Sequence, residues 1–233
     1  MLCVSLSLSL SRDGERLGVA GGIVETASGR HVVFHGMNCV EKLAPFLAPL
    51  TAADCRLLHD ELGLNVVRLG VLWQATFPSG PDTLNATYLA DVRATIELLA
   101  AHGISTLVDA HQDVLNRRDC GEGVPEWAFE KALANVGFNR SRFGAAFPSP
   151  WRGVDLNVTG GVPDLAECQQ HEFFQYYLTF ESDAAFRGLY GDAEVVAAFA
   201  EHWRATAAAL HGTKGLLGYE LLNEPPAFPA RLV

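Results

Sequence analysis

Asn65-Val66-Val67-Arg68-Leu69-Gly70-Val71 is a short run, rich in valine and, after Asn65, apolar apart from one arginine. A run of that kind suits a strand buried on both faces, the signature of a parallel sheet. Upstream, Thr51-Ala52-Ala53-Asp54 sets an N-cap threonine three residues before an acid, close to a capping box. Leu57, Leu58 and Leu62 supply the apolar stripe of the helix behind it, which Gly63 stops. Downstream, Asn85 to Ala101 reads as a second helix, with Tyr88, Val92, Ile96 and Leu99 on its apolar side and Gly103 past its end. Ile104-Ser105-Thr106-Leu107-Val108-Asp109-Ala110-His111 is another strand. Val195, Phe199, Trp203, Thr206 and Leu210 recur at helical spacing before Gly212, and Gly215 to Leu222 forms the last strand. Nearer the start, Val19 to Cys39 reads as a hairpin followed by a strand. Ile23 and Val24 precede a turn at Ala27-Ser28-Gly29-Arg30, and Val32, Val33 and Phe34 follow it toward Gly36-Met37-Asn38. Apolar strands alternating with amphipathic helices mean βαβ units and a parallel sheet.

Residues 113–182 break this rhythm. They are dense in glycine, proline and aromatic residues and read as one long insertion loop after a strand's C-terminal end, where α/β folds build their sites. Residues 1–20 read as an N-terminal extension whose Leu/Ser alternation, without a positive n-region, makes a poor signal peptide. The rest, 21–233, reads as one barrel-type segment.

With 49% hydrophobic residues the chain can bury a sizeable core. Its 17 basic against 27 acidic residues leave a net charge of −10, which argues against nucleic acid as a partner. No run approaches the ~20 apolar residues that span a bilayer as a helix. Five cysteines without a C-x-x-C spacing exclude a disulfide scaffold and a structural zinc site. Cys120 and Cys168, both in the Gly/Pro-rich stretch, are the candidate disulfide, with five reduced cysteines as the alternative. Sequons at Asn85, Asn139 and Asn157 favour a secreted, lysosomal or other secretory location.

Each strand ends in groups that a packed core would not choose. The first runs into Asn38 and Lys42, the second holds Arg68, the third ends His111-Gln112-Asp113, and the fourth ends Asn223-Glu224-Pro225. In a parallel barrel such ends converge on one mouth, where an arginine, a histidine, an asparagine and carboxylates give acid/base capacity. His111 and Asp113 share a strand face, as do Glu220 and Glu224, with Glu220 the deeper. That depth makes Glu220 a packing or hydrogen-bonding group. Singly, Arg68 could equally be a buried ion-pair partner and His111 a hydrogen-bonded core histidine. Asn223-Glu224-Pro225 resists such a reading, because a glutamate behind a buried apolar run is costly unless partnered.

On these stretches the sequence resembles glycoside hydrolase family 5, the cellulase family, and within it the endoglycoceramidase-like branch. The matching motifs are residues 29–38, Asn65 to Trp73, Leu98 to Ile104, Asp109 to Asp113, Cys120-Gly121-Glu122-Gly123-Val124-Pro125-Glu126-Trp127, and Leu217 to Pro225. The resemblance implies a (β/α)8 TIM barrel and retaining hydrolysis of a β-glycosidic bond in a glycolipid or glucan. It implies Glu224 as general acid/base, Asn223 as hydrogen-bond partner of the sugar 2-hydroxyl, Arg68 as the group orienting the nucleophile and His111 as a lining residue. Lys42 and Asp113 match positions that hold the sugar head group, so the implied partner is a carbohydrate or glycosphingolipid, met in part at a membrane surface. No metal or organic cofactor is needed for this chemistry, which asks for two carboxyl groups ~5–5.5 Å apart, one protonated.

The family's nucleophile is a second glutamate near the seventh strand, and only four strands can be counted here. The expectation is a half barrel without the nucleophile, inactive alone and marginally stable because sheet edges lie unpaired. The competing reading is a catalytically inactive carbohydrate- or glycolipid-binding fragment.

Overall fold

The structure, a computed structural model, describes residues 17–136, 158–159, 162–170 and 172–225. It divides into two compact units. One comprises Met1–Val71, Ala86–Ala110 and Thr206–Leu221; the other comprises Leu72–Asn85, His111–Ala205 and Leu222–Val233.

The first unit is built on a parallel four-stranded sheet: β3 (Gly36–Cys39), β4 (Val66–Gly70), β5 (Ser105–Asp109) and β8 (Leu216–Glu220), in that spatial order. Register aligns Asn38 with Arg68 and Leu107, and Gly70 with Asp109 and Glu220. Strand alternation therefore collects Asn38, Arg68, Asp109 and Glu220 on one face. Val67, Leu69, Thr106 and Val108 lie on the other, all fully buried. The helix α3 (Ala86–Ala101), which links β4 to β5, buries Tyr88, Leu89, Val92, Ile96 and Leu99. Helix α1 (Ala52–Arg56) starts at the expected capping box: the Thr51 side chain accepts from the Asp54 N–H, and the Asp54 carboxylate accepts from the Thr51 N–H. A π-helical turn, Leu57–Glu61, completes it before Gly63.

The N-terminal hairpin differs from expectation. Strand β1 (Leu17–Ala20) pairs antiparallel with β2 (Ile23–Thr26) around Gly21-Gly22. Both glycines have positive φ, 57° and 83°, the geometry that two-residue hairpin loops require. The 27–30 turn is present, closed by the Thr26 N–H on the Arg30 carbonyl at 2.8 Å, but Val32-Val33-Phe34 is no strand. Beyond a single bridge between Glu25 and His31, the Asn65 side chain takes the place of a ladder. It donates to the Val33 carbonyl and accepts from the His35 N–H, both at 2.8 Å.

The second unit corrects the reading of 113–182 as a loop. Among its described residues lie a 3₁₀ turn (Arg117–Asp119), α4 (Glu126–Asn135), the short antiparallel pair β6 (Val158–Thr159) and β7 (Val162–Pro163), α5 (Leu165–Cys168), α6 (Phe173–Tyr176) and the start of α7 (Phe180–Gly191). Helix α4 carries Ala128, Phe129, Ala132 and Leu133 buried at helical spacing and contains no glycine or proline. The glycine-rich flanks hide that pattern from a composition reading. Helix α2 (Trp73–Thr76) opens the unit, and most of α8 (Ala193–Leu210) closes it.

Trp73 centres an aromatic core with Trp127, Phe199 and His202 at ring distances of 5.6, 5.3 and 6.4 Å. His202 lies on the α8 stripe between Phe199 and Trp203 and was not singled out in the sequence. It is 0% exposed, and neither ring nitrogen has a hydrogen-bond partner among the described residues. Burial pushes its pKa down to about 3. An unfolded histidine binds a proton near pH ~6.5, whereas the folded site excludes it. Stability from this site is complete above that pH and is lost as pH falls toward 3. Urea unfolding is expected to show a loss of about 2 kcal/mol from this group between pH 7 and pH 5. His202→Phe should lack that component, and equal pH slopes for variant and wild type would refute the assignment.

Candidate active site

Arg68 projects from β4 into a charged triad across the sheet. Its Nε and Nη2 donate to Glu220 Oε2 and Oε1, each at 2.7 Å, and Nη2 lies 3.0 Å from Asp109 Oδ2. The fork-to-fork geometry with Glu220 is the strongest form of such a pair. Asp109 is fully buried and Glu220 partly open. The depth argument for Glu220 thus corresponds to an ion pair joining β8 to β4 across β5. Lys42 lies exposed on the segment after β3 in the same unit.

The second unit gathers His111, Asp113 and Asn223. His111 Nε2 is 3.3 Å from Asp113 Oδ2, and Asn223 Nδ2 donates to the Gln112 carbonyl at 2.9 Å and to Asp113 Oδ1 at 3.4 Å. Tyr177, 64 residues along the chain, donates its phenolic O–H to the same Oδ1 at 3.3 Å. Burial, with the charges of Asp113 and Glu224 adding to it, pushes the Tyr177 phenol well above its usual range, so the phenol remains a donor.

The motif Cys120-Gly121-Glu122-Gly123 has a steric reason. Asp113 and Glu122 exchange both backbone hydrogen bonds, at 3.0 and 2.8 Å, and set two chain segments face to face. A Cβ on Gly121 would stand 1.9 Å from the Asp113 carbonyl oxygen; one on Gly123 would stand 2.5 Å from that of His111. Only glycine permits this approach. Cys120 and Cys168 are joined in a disulfide, S–S 2.06 Å, across a sequence separation of 48. Asn85 begins no strand or helix here but precedes α3 half-buried; the sequons at Asn139 and Asn157 lie outside the described residues.

Backbone strain concentrates beside these groups. Val114, Leu115 and Glu224 have φ of 50°, 62° and 37°. Non-glycine residues adopt such values only when their surroundings enforce them, at ~1–3 kcal/mol each. The enforcing group is Gln112, which the sequence shows as an unremarked residue between two polar ones. Its side chain is buried. Oε1 accepts from the Leu115 N–H at 3.1 Å, and Nε2 donates to the carbonyls of Asn223 at 2.8 Å and Glu224 at 3.5 Å. Alternation turns it away from His111 and Asp113, which is the one trace of this role legible in the sequence. Glu224 itself is exposed, its side chain open to an incoming molecule.

His111, Asp113 and Glu122, all buried, also set one donor atom each within 4.8 Å of one another. That donor set could take a divalent cation. Here the Asn223 and Tyr177 donors aimed at Asp113 Oδ1 already use this carboxylate as a hydrogen-bond acceptor, a role suited to sugar hydroxyls.

A family model described as cellulase (glycosyl hydrolase family 5) matches residues 26–229. An endoglycoceramidase from Cyanea nozakii is 34% identical over 207 residues, covering 84% of this chain and 39% of that protein. Endoglycoceramidase I from Rhodococcus hoagii is 31% identical over 201 residues, covering 84% and 34%. The chain thus spans about two fifths of the length of the curated relatives it matches. The solved endo-glycoceramidase II from Rhodococcus sp. superposes with a TM-score of 0.65 at 21% identity, over 94% of this chain and 42% of that one. The four parallel strands are accordingly part of a (β/α)8 barrel fold.

Gln112→Leu removes the donor to two carbonyls and the acceptor for the Leu115 N–H. It is expected to destabilise the chain by about 2 kcal/mol or more in urea unfolding. Wild-type stability in this variant would show that the 112–115 and 223–224 segments do not depend on the amide.

Proposed function

The chain belongs to glycosyl hydrolase family 5, and from that premise we propose that it carries the acid/base half of a retaining glycosidase acting on the β-linked sugar of a glycosphingolipid. Glu224 is the general acid/base. In the first step it gives its proton to the glycosidic oxygen as the nucleophile attacks the anomeric carbon; in the second it takes a proton from the water that releases the sugar. Asp113 holds the sugar head group, with His111 lining it and Asn223 meeting the 2-hydroxyl. Arg68 orients the nucleophile.

The observation that carries the reading is the Gln112 anchor. It holds the Glu224 backbone in a left-handed conformation while the side chain remains exposed. A purely structural glutamate would not justify that strain. The aglycone assignment rests on relatives named endoglycoceramidase. No helix among the described residues is long and apolar enough to cross a membrane. Because the proposed substrate is a lipid, its encounter is proposed to occur at a membrane surface. The three sequons support a secretory location, which we propose with it.

Glu224→Gln is expected to lower kcat on glucosylceramide by about 10²–10⁴-fold. The loss should be smaller on an aryl β-glucoside, whose leaving group needs little protonation. Equal turnover by the wild type and the variant would remove Glu224 from the mechanism.

A further inference from the structure

Residues 168–186 build a mount for one hydroxyl group. The Cys120–Cys168 disulfide ties the end of α5 to the turn that follows Asp119. Tyr176 Oη donates to the Cys168 carbonyl at 2.8 Å, locking α6 onto that anchor. Thr179 and Ser182 close the next turn: the Ser182 N–H donates to Thr179 Oγ1 at 3.0 Å, and Ser182 Oγ donates to the Tyr176 carbonyl at 2.8 Å. Ser182 Oγ also reaches Asp119 Oδ2 at 3.4 Å, a second tie to the same turn. Tyr177 lies between these fixed points. Its ring stacks on Phe186, centroids 6.2 Å apart at 16°, and takes Phe173 edge-on at 6.0 Å. With backbone and ring both held, the hydroxyl meets Asp113 Oδ1, beside a backbone hydrogen bond at Val114.

We propose that Tyr177 is a positioning residue for sugar recognition: its hydroxyl, delivered by the disulfide-anchored insertion, holds the Asp113 carboxylate aimed so that it accepts hydroxyls of the glycolipid head group. This rests on the reading of Asp113 as the sugar-holding acid and adds a determinant from outside the sheet strands. A phenol donating to a carboxylate restricts its rotation. Asn223 shares Oδ1 and His111 meets Oδ2, so removal of the phenol leaves Asp113 hydrogen-bonded but less constrained. The titratable groups facing Asp113 are His111 on its own segment, Glu122 on the opposed segment and Tyr177 itself. Glu224 acts on Tyr177 through its charge.

Tyr177→Phe keeps the aromatic stack and removes only the hydroxyl. Lactose binding measured by calorimetry separates the claims. Tyr177→Phe is expected to raise Kd about three- to tenfold, Asp113→Asn to raise it further, and Tyr177→Phe to add nothing in the Asp113→Asn background. An unchanged Kd in Tyr177→Phe, or a loss that adds in full to that of Asp113→Asn, overturns the proposal. An Asp113→Asn variant that binds lactose as the wild type does sinks the assignment of Asp113 to the sugar instead.

Discussion

One buried carboxamide, that of Gln112, connects the segment after β5 to the segment after β8. It satisfies the Leu115 N–H and the carbonyls of Asn223 and Glu224, while Asn223 answers by donating to the Gln112 carbonyl. Buried backbone groups must find partners, and here no regular ladder supplies them. The strained backbone at Val114, Leu115 and Glu224 is tolerable because this amide and the adjoining Asp113–Glu122 pairing over-determine it. His111, Asp113 and Asn223 inherit their mutual geometry from that arrangement.

The sheet shows a parallel economy in its own unit. Arg68, Asp109 and Glu220 come from three strands, yet register and alternation put them on one face, where the arginine pairs with both carboxylates. A lone buried charge would be costly. The bidentate pairing joins β8 to the strands before it in chain order, beyond the backbone ladder it shares with β5. An arginine inside an otherwise apolar strand is accounted for by two carboxylates, neither of which lies near it in sequence.

The insertion after β5 is organised by covalent and aromatic anchoring. Its described residues form short helices and turns that could not be stable singly. The Cys120–Cys168 bond, the Tyr176 tie to Cys168 and the Phe173–Tyr177–Phe186 ring contacts hold them. The glycines that made this stretch look like loop are in part contact glycines, as Gly121 and Gly123 show.

Local pattern was enough for the parallel strands at 65–71, 104–111 and 215–222, for the Thr51 capping box, and for helices such as Asn85 to Ala101. Periodicity and caps are properties of neighbouring residues, and a chain carries them openly. The polar strand ends were legible for the same reason, as was the resemblance that joined Arg68, His111 and Glu224 to one chemistry. The partners of these groups were not. Tyr177 reaches Asp113 across 64 residues, Arg68 reaches Glu220 across 152, and Asn65 displaces a strand at Val33 from 32 residues away. Such contacts arise only when packing brings remote segments together, and no window of sequence contains both ends of them. His202 makes the point in reverse. Its place on a helical stripe was visible, but a histidine without hydrogen-bond partners among the described residues, inside an aromatic core, is a fact of what surrounds it.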